Sequence, residues 1–122
     1  MKNKSDKTYG AFENSDVRHV VIPDSVKQID NLAFYRCKSL ESVTLPKGLE
    51  TIPYGCFDMC ISLQEVVIPE GITKIEDNAF LGCDLKHVII PDSVKKIGNS
   101  AFQGCNSLKS VIIPDSVKKI GY

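Results

Sequence analysis

The chain has 122 residues, 43% of them hydrophobic and 25% charged, with 15 Lys plus Arg against 15 Asp plus Glu. That is the material of one ordinary globular domain, which excludes a disordered chain and a fibre. A formal net charge of +0 argues against a dedicated nucleic-acid or anionic-membrane binder, which carries a basic excess. No apolar run exceeds about three residues, far short of a membrane-spanning helix.

Residues 1–8 are polar and charged, and are expected to fray as a disordered tail ahead of a repeat domain over 9–122. They lack the apolar stretch of a secretory signal peptide. Either the protein stays inside the cell or a leader has been removed.

The prolines set the period. Pro23, Pro46, Pro69, Pro91 and Pro114 are spaced 23, 23, 22 and 23 residues apart. Each follows an aliphatic residue: Ile22, Leu45, Ile68, Ile90 and Ile113. Three residues on stand Val26, Leu49, Ile72, Val94 and Val117, and three further Ile29, Ile52, Ile75, Ile97 and Ile120. Ala-Phe follows at Ala33-Phe34, Ala79-Phe80 and Ala101-Phe102, with Cys56-Phe57 as the variant. A cysteine lies three residues past each of these phenylalanines, at Cys37, Cys60, Cys83 and Cys105. Seven aligned columns are the mark of a solenoid of about five coils, because one such unit cannot bury its apolar face and stacked copies can.

Each part of the unit has a physical reading. Ser42-Val43-Thr44-Leu45 alternates with period two and carries β-branched residues, so it predicts a strand with Val43 and Leu45 inward. Its equivalents run over 17–22, 63–68, 85–90 and 108–113. The proline ends the strand, and the Pro-Asp-Ser, Pro-Lys-Gly and Pro-Glu-Gly runs predict turns. The Gly98–Cys105 type of segment predicts one or two helical or 3₁₀ turns on the convex side. Stacking then predicts a five-stranded parallel sheet, its strands ~4.8 Å apart, and a continuous stack of Phe12, Phe34, Phe57, Phe80 and Phe102.

Several columns could carry chemistry. Five cysteines are an odd number, which argues against a complete disulfide framework. Stacked cysteines come within disulfide reach, but their Cβ vectors run parallel. Reduced, buried thiols are the expectation, against one disulfide or a metal at Cys56 and Cys60 with Cys37 and Cys83. Zinc needs four sulfurs converging on one point, and a linear ladder does not converge. No cofactor or metal site is expected.

The outward strand column reads His19, Ser42, Glu65, His87, Ser110. His87 and Glu65 are one strand step apart, so a hydrogen-bonded pair is expected. The next outward column is Val21, Thr44, Val67, Ile89, Ile112. Four apolar residues in five make an exposed stripe, which marks an interaction site or reflects the β-propensity of Val, Ile and Thr. Asp24, Glu70, Asp92 and Asp115 share an acidic column broken by Lys47. Lys74, Lys96 and Lys119 share a basic one with Gln28 and Thr51. Both columns are expected to be solvated, with a polyanion-binding strip as the lesser alternative. No phosphate loop, nucleophile elbow or dinucleotide fingerprint is present.

The pattern Leu-x-x-Val-x-Ile-Pro-x-x-Val-x-x-Ile-x-x-x-Ala-Phe-x-x-Cys, over roughly residues 10–122, resembles the BspA-like leucine-rich repeat family. The resemblance implies a curved α/β solenoid with a concave parallel sheet. It also implies surface-exposed or secreted adhesion proteins. The expected function is therefore non-catalytic recognition of a protein or carbohydrate through the concave face. The candidate residues are His19, Val21, Ser42, Thr44, Glu65, Val67, His87, Ile89, Ser110 and Ile112. The alternative is a structural segment of a longer repeat protein. Nucleic acid and membrane insertion are not expected. The last coil keeps Val111, Ile113, Val117 and Ile120 and no polar cap follows. Self-association through that coil, or continuation of the natural protein beyond it, is expected.

Overall fold

A computed structural model describes residues 8–9, 16–109 and 111–121. Among the described residues nine short strands follow one another: β1 (Thr8–Tyr9), β2 (His19–Val21), β3 (Gln28–Ile29), β4 (Ser42–Thr44), β5 (Thr51–Ile52), β6 (Glu65–Val67), β7 (Lys74–Ile75), β8 (Lys96–Ile97) and β9 (Lys119–Ile120). Each full coil runs from a strand through the proline turn to a second strand, and then through a wall of tight turns. The proline carbonyl closes the first turn, as in Val26 N–H to Pro23 at 3.0 Å and Ile72 N–H to Pro69 at 3.1 Å.

All strand pairs are parallel. The first sheet has the order β2-β4-β6 and holds His19, Ser42 and Glu65 in register, then Val20, Val43 and Val66, then Val21, Thr44 and Val67. This register agrees with the inward placing of Val43. The expected five-stranded sheet is corrected here, because among the described residues this sheet has three strands. The ladder ends on one last pair of bonds, Asp84 N–H to Leu63 at 3.1 Å and Lys86 N–H to Gln64 at 3.2 Å. Beyond it, among the described residues, no backbone bond joins Glu65–Ile68 to His87–Ile90. The coil at which the ladder stops is the one that is a residue short, between Cys83 and Leu85.

The second sheet, which the sequence did not announce, has the order β5-β7-β8-β9 and lies along the Val-x-x-Ile segments. Glu76, Gly98 and Gly121 each donate their N–H to the isoleucine of the coil before, at 2.9, 2.7 and 2.8 Å. Pro53 fills the same place one coil earlier and has no N–H to give. There the ladder breaks, and β3 pairs with β1 instead of β5.

The third wall corrects the expectation of helical or 3₁₀ turns: among the described residues there is no helix. Its alternate N–H groups are spent on the next coil, so they are not free to close helical turns. Leu32, Phe34 and Arg36 donate to Tyr54, Cys56 and Asp58, and Asn78, Phe80 and Gly82 to Asn99, Ala101 and Gln103. Two columns of left-handed residues turn the chain there: Leu32, Gly55, Asn78 and Ser100, then Arg36, Met59, Gly82 and Gly104. A positive φ at both ends of the segment cannot extend a right-handed helix.

The core fills the space between the walls. Phe34, Phe57 and Phe80 are fully buried, and each contributes roughly 1.5–3 kcal/mol by leaving water. Phe34, Phe57, Phe80 and Phe102 stack at 5.3, 5.3 and 5.4 Å between ring centroids, with interplanar angles of 12°, 10° and 8°. Phe12, the expected first member, lies outside the described residues. Among the described residues no helix is long and apolar enough to cross a membrane.

Candidate functional site

Strand alternation decides what the first sheet shows to its surroundings. Val43 and Val66 face the core, while the flanking residues of β4 and β6 stand on the outer face. One outer row is apolar: Val21 is 73% exposed, Val67 72%, Ile89 82% and Ile112 84%. Thr44 completes it and is exposed as well. Leaving four large aliphatic side chains in water forgoes burial that each could have made elsewhere.

The polar row beside it does not behave uniformly. His19 Nδ1 and Ser42 Oγ lie 2.8 Å apart, a pair that the residue order alone did not suggest. The expected Glu65–His87 pair is corrected: among the described residues no hydrogen bond joins them, since the strand ladder that would bring them opposite each other has stopped. Ser110 lies outside the described residues. The imidazole and hydroxyl at His19 and Ser42 are two parts of a nucleophile–base relay. Among the described residues no third group orients the imidazole, so the relay is incomplete.

Two grooves open where the ladder is missing. One of ≈ 560 Å³ is lined by Ser42, Thr44, Glu65, Val67, His87 and Ile89, with Glu70 at its edge. A second of ≈ 900 Å³ runs between His87, Ile89 and Ile112, with Asp92 and Asp115 as its wall. Of the candidate residues, the grooves gather Ser42, Thr44, Glu65, Val67, His87, Ile89 and Ile112; His19 and Val21 continue the same face on β2, and Ser110 lies outside the described residues.

 Seven of the ten candidates therefore share this pair of grooves.

All five cysteines are buried, and none is in a disulfide. Burial pushes the Cys56 and Cys83 thiols up, and the Cys105 thiol up to about 11. The Cys60 thiol is raised first by its hydrogen bond with Cys37 and then by burial. Thiols held neutral in this way are poor nucleophiles and poor ligands. Among the described residues no group of three or more His, Cys, Asp or Glu could hold a metal ion. The turn wall adds one feature that the repeat pattern hid, the exposed apolar residues Leu32, Tyr54, Met59 and Ile61. Their sequence signal is an apolar or aromatic residue in columns that elsewhere hold Gly or polar residues.

Residues 8–122 match the model of the BspA type leucine rich repeat region, in six copies. Three solved structures are similar over most of the chain. A leucine-rich repeat protein from Bacteroides ovatus is 35% identical with a TM-score of 0.82, covering 86% of this chain and 28% of its own. A leucine rich cell surface protein from Faecalibacterium prausnitzii is 39% identical with a TM-score of 0.73, covering 87% of this chain and 26% of its own. The T. pallidum leucine rich repeat protein is 34% identical with a TM-score of 0.85, covering 93% of this chain and 55% of its own. The chain thus spans between about a quarter and about half of the length of these proteins. Comparison with curated proteins returns no match.

Proposed function

Since the chain belongs to the BspA-type leucine-rich repeat family, whose fold serves binding or structural roles, we propose that it is a non-catalytic recognition module. It takes a protein or carbohydrate partner on the outer face of β2, β4 and β6 and the grooves beside β6. One observation carries this: the row of Val21, Val67, Ile89 and Ile112, each more than two-thirds exposed, over two grooves with polar rims. Apolar centres with polar rims are how recognition surfaces are built. A place at the cell surface, where such a module would serve adhesion, is in line with one similar structure, which is named a leucine rich cell surface protein.

The test is a glycan array and a panel of purified matrix proteins, probed with the wild-type chain and with Val67→Lys/Ile89→Lys. A ligand bound by the wild type and lost by a variant of unchanged melting temperature supports the reading. A second reading, a structural segment without a site of its own, is favoured by the fraction of its relatives that the chain spans. It predicts that the wild type binds nothing in either panel, or that the variant binds equally well.

A further inference from the structure

The outer face of the second sheet collects positive charge. Lys74, Lys96 and Lys119 stand in register on β7, β8 and β9, and Lys95 and Lys118 precede the last two. The backbone ties the second pair into the same ladder, Lys118 N–H to the Lys95 carbonyl at 2.8 Å and Lys95 N–H to Thr73 at 2.7 Å. Lys74, Lys95, Lys118 and Lys119 are exposed and Lys96 is half-buried. Among the described residues the ion pairs are Arg18–Glu41 at 3.9 Å and Lys86–Asp84 at 3.5 Å, and neither involves these lysines. Glu50 and Glu76 flank the patch without pairing with it.

Like charges placed opposite each other on neighbouring strands destabilise a sheet. A coil step of ~4.8 Å also lies inside the Debye length of about 8 Å at physiological salt, so the five ammonium groups act as one field. The chain as a whole has a net charge of +0, so this field comes from segregation of charge and not from a basic composition.

We propose that this lysine face binds a linear acidic polysaccharide. Its carboxylate or sulfate groups would recur at one or two coil steps, ~5 to ~10 Å. The face has no aromatic side chain on β5, β7, β8 or β9, and so no platform on which the bases of a single-stranded nucleic acid could stack. The site is separate from the first sheet's outer face and does not depend on that face having a ligand.

The experiment titrates the full chain with heparin and with polygalacturonate at low salt, with duplex DNA as comparator. The two polysaccharides separate a sulfate-reading from a carboxylate-reading face. The key variant is Lys74→Thr/Lys96→Thr/Lys119→Thr, because Thr51 already occupies this column on β5. The control, Lys38→Thr/Lys86→Thr/Lys109→Thr, removes the same charge elsewhere. Loss of three counterion-releasing contacts lowers affinity by about tenfold or more in the first variant, and by less than about twofold in the control. Equal losses in the two variants, no binding of either polysaccharide, or binding of DNA as tight as theirs would overturn the proposal. Should the triple variant fail to fold, Lys119→Thr on the outermost strand is read in the same way.

Discussion

The Cys83 thiol donates to the Phe57 carbonyl at 3.1 Å, one coil away. Cys60 makes the same bond to Phe34 at 3.0 Å and Cys105 to Phe80 at 3.2 Å. The Phe57 carbonyl also accepts Cys60 N–H from its own coil, at 3.1 Å. The cysteine column is therefore a ladder of buried donors as well as an apolar filler. A thiolate could not donate, and burial disfavours it further.

These raised thiols make the fold sensitive to base. The unfolded chain ionises its cysteines from about pH 8.5, while the folded chain keeps them neutral, up to about 11 at Cys105. The unfolded state then binds fewer protons, so stability is full below the unfolded value and falls as pH rises through the folded ones. Each thiol that ionises only on unfolding removes about 1.4 kcal/mol per pH unit. Denaturant titrations between pH 7 and 10 check this. Cys83→Ser, which keeps a donor without the titration, should show a shallower fall, and an unchanged slope would contradict the assignment. Native protein should react slowly with a thiol reagent, and unfolded protein should expose five thiols.

Neighbouring positions on β6 should respond oppositely to the same change. Val66 is 7% exposed and Val67 72%. Val66→Lys buries a charge and should cost several kcal/mol or prevent folding. Val67→Lys should stay within about 0.5 kcal/mol of wild type. A melting curve for each decides, and a large loss at Val67 would mean that the register is shifted by one residue.

The turn wall stores strain that one substitution can release. Arg36 holds φ 57° and is exposed. Arg36→Gly should stabilise the fold by about 0.5–1 kcal/mol. At Gly104, with φ 77°, an added Cβ would meet Gly82 Cα and N at 3.5 Å, an ordinary contact, so Gly104→Ala should cost about 1 kcal/mol through the backbone alone. Chemical denaturation of both variants tests the pair, and the same sign of effect in both would refute the account.

Ile113 and Ile120 are 40% and 57% exposed, against 5% and 4% for their counterparts Ile90 and Ile97 one coil earlier. A groove of ≈ 340 Å³ between Ile97, Phe102, Val111, Ile113 and Ile120 opens on that side. We propose that the 122-residue polypeptide self-associates there. Light scattering across a dilution series should show a mass above 13.5 kDa that returns to monomer in Ile113→Lys/Ile120→Lys. A monomer at high concentration for the unmodified chain would exclude it.

The period, the buried columns and the outward stripe were all legible in the sequence, because a solenoid writes the same packing constraint once per coil. Val43 and Leu45 could be placed by alternation alone. What stayed hidden depends on single departures from the repeat. Pro53 looks like another turn proline until its missing N–H is set against the bond that Glu76 makes at the same place one coil later. The residue absent between Cys83 and Leu85 was visible as a spacing of 22, but its coincidence with the end of the first ladder was not. The turn wall departs from the helical or 3₁₀ turns that its short, glycine-closed segments predict, because coil-to-coil bonding at alternate residues overrides local preference. The His19–Ser42 bond needed side-chain directions that a column of letters does not contain.

The turn wall has an electrical consequence. Among the described residues nine N–H groups cross from one coil to the next there, from Leu32, Phe34, Arg36, Gly55, Phe57, Met59, Asn78, Phe80 and Gly82, and every one points toward the C-terminal side. Aligned peptide dipoles add head to tail, as they do along a helix axis. This wall is therefore a polarised column, with its positive pole at the amides of Ser100, Phe102 and Gly104. In an α-helix the amides point to the N-terminal end. Here they point the other way, so an anion near the last coils is stabilised where a helix would favour a cation.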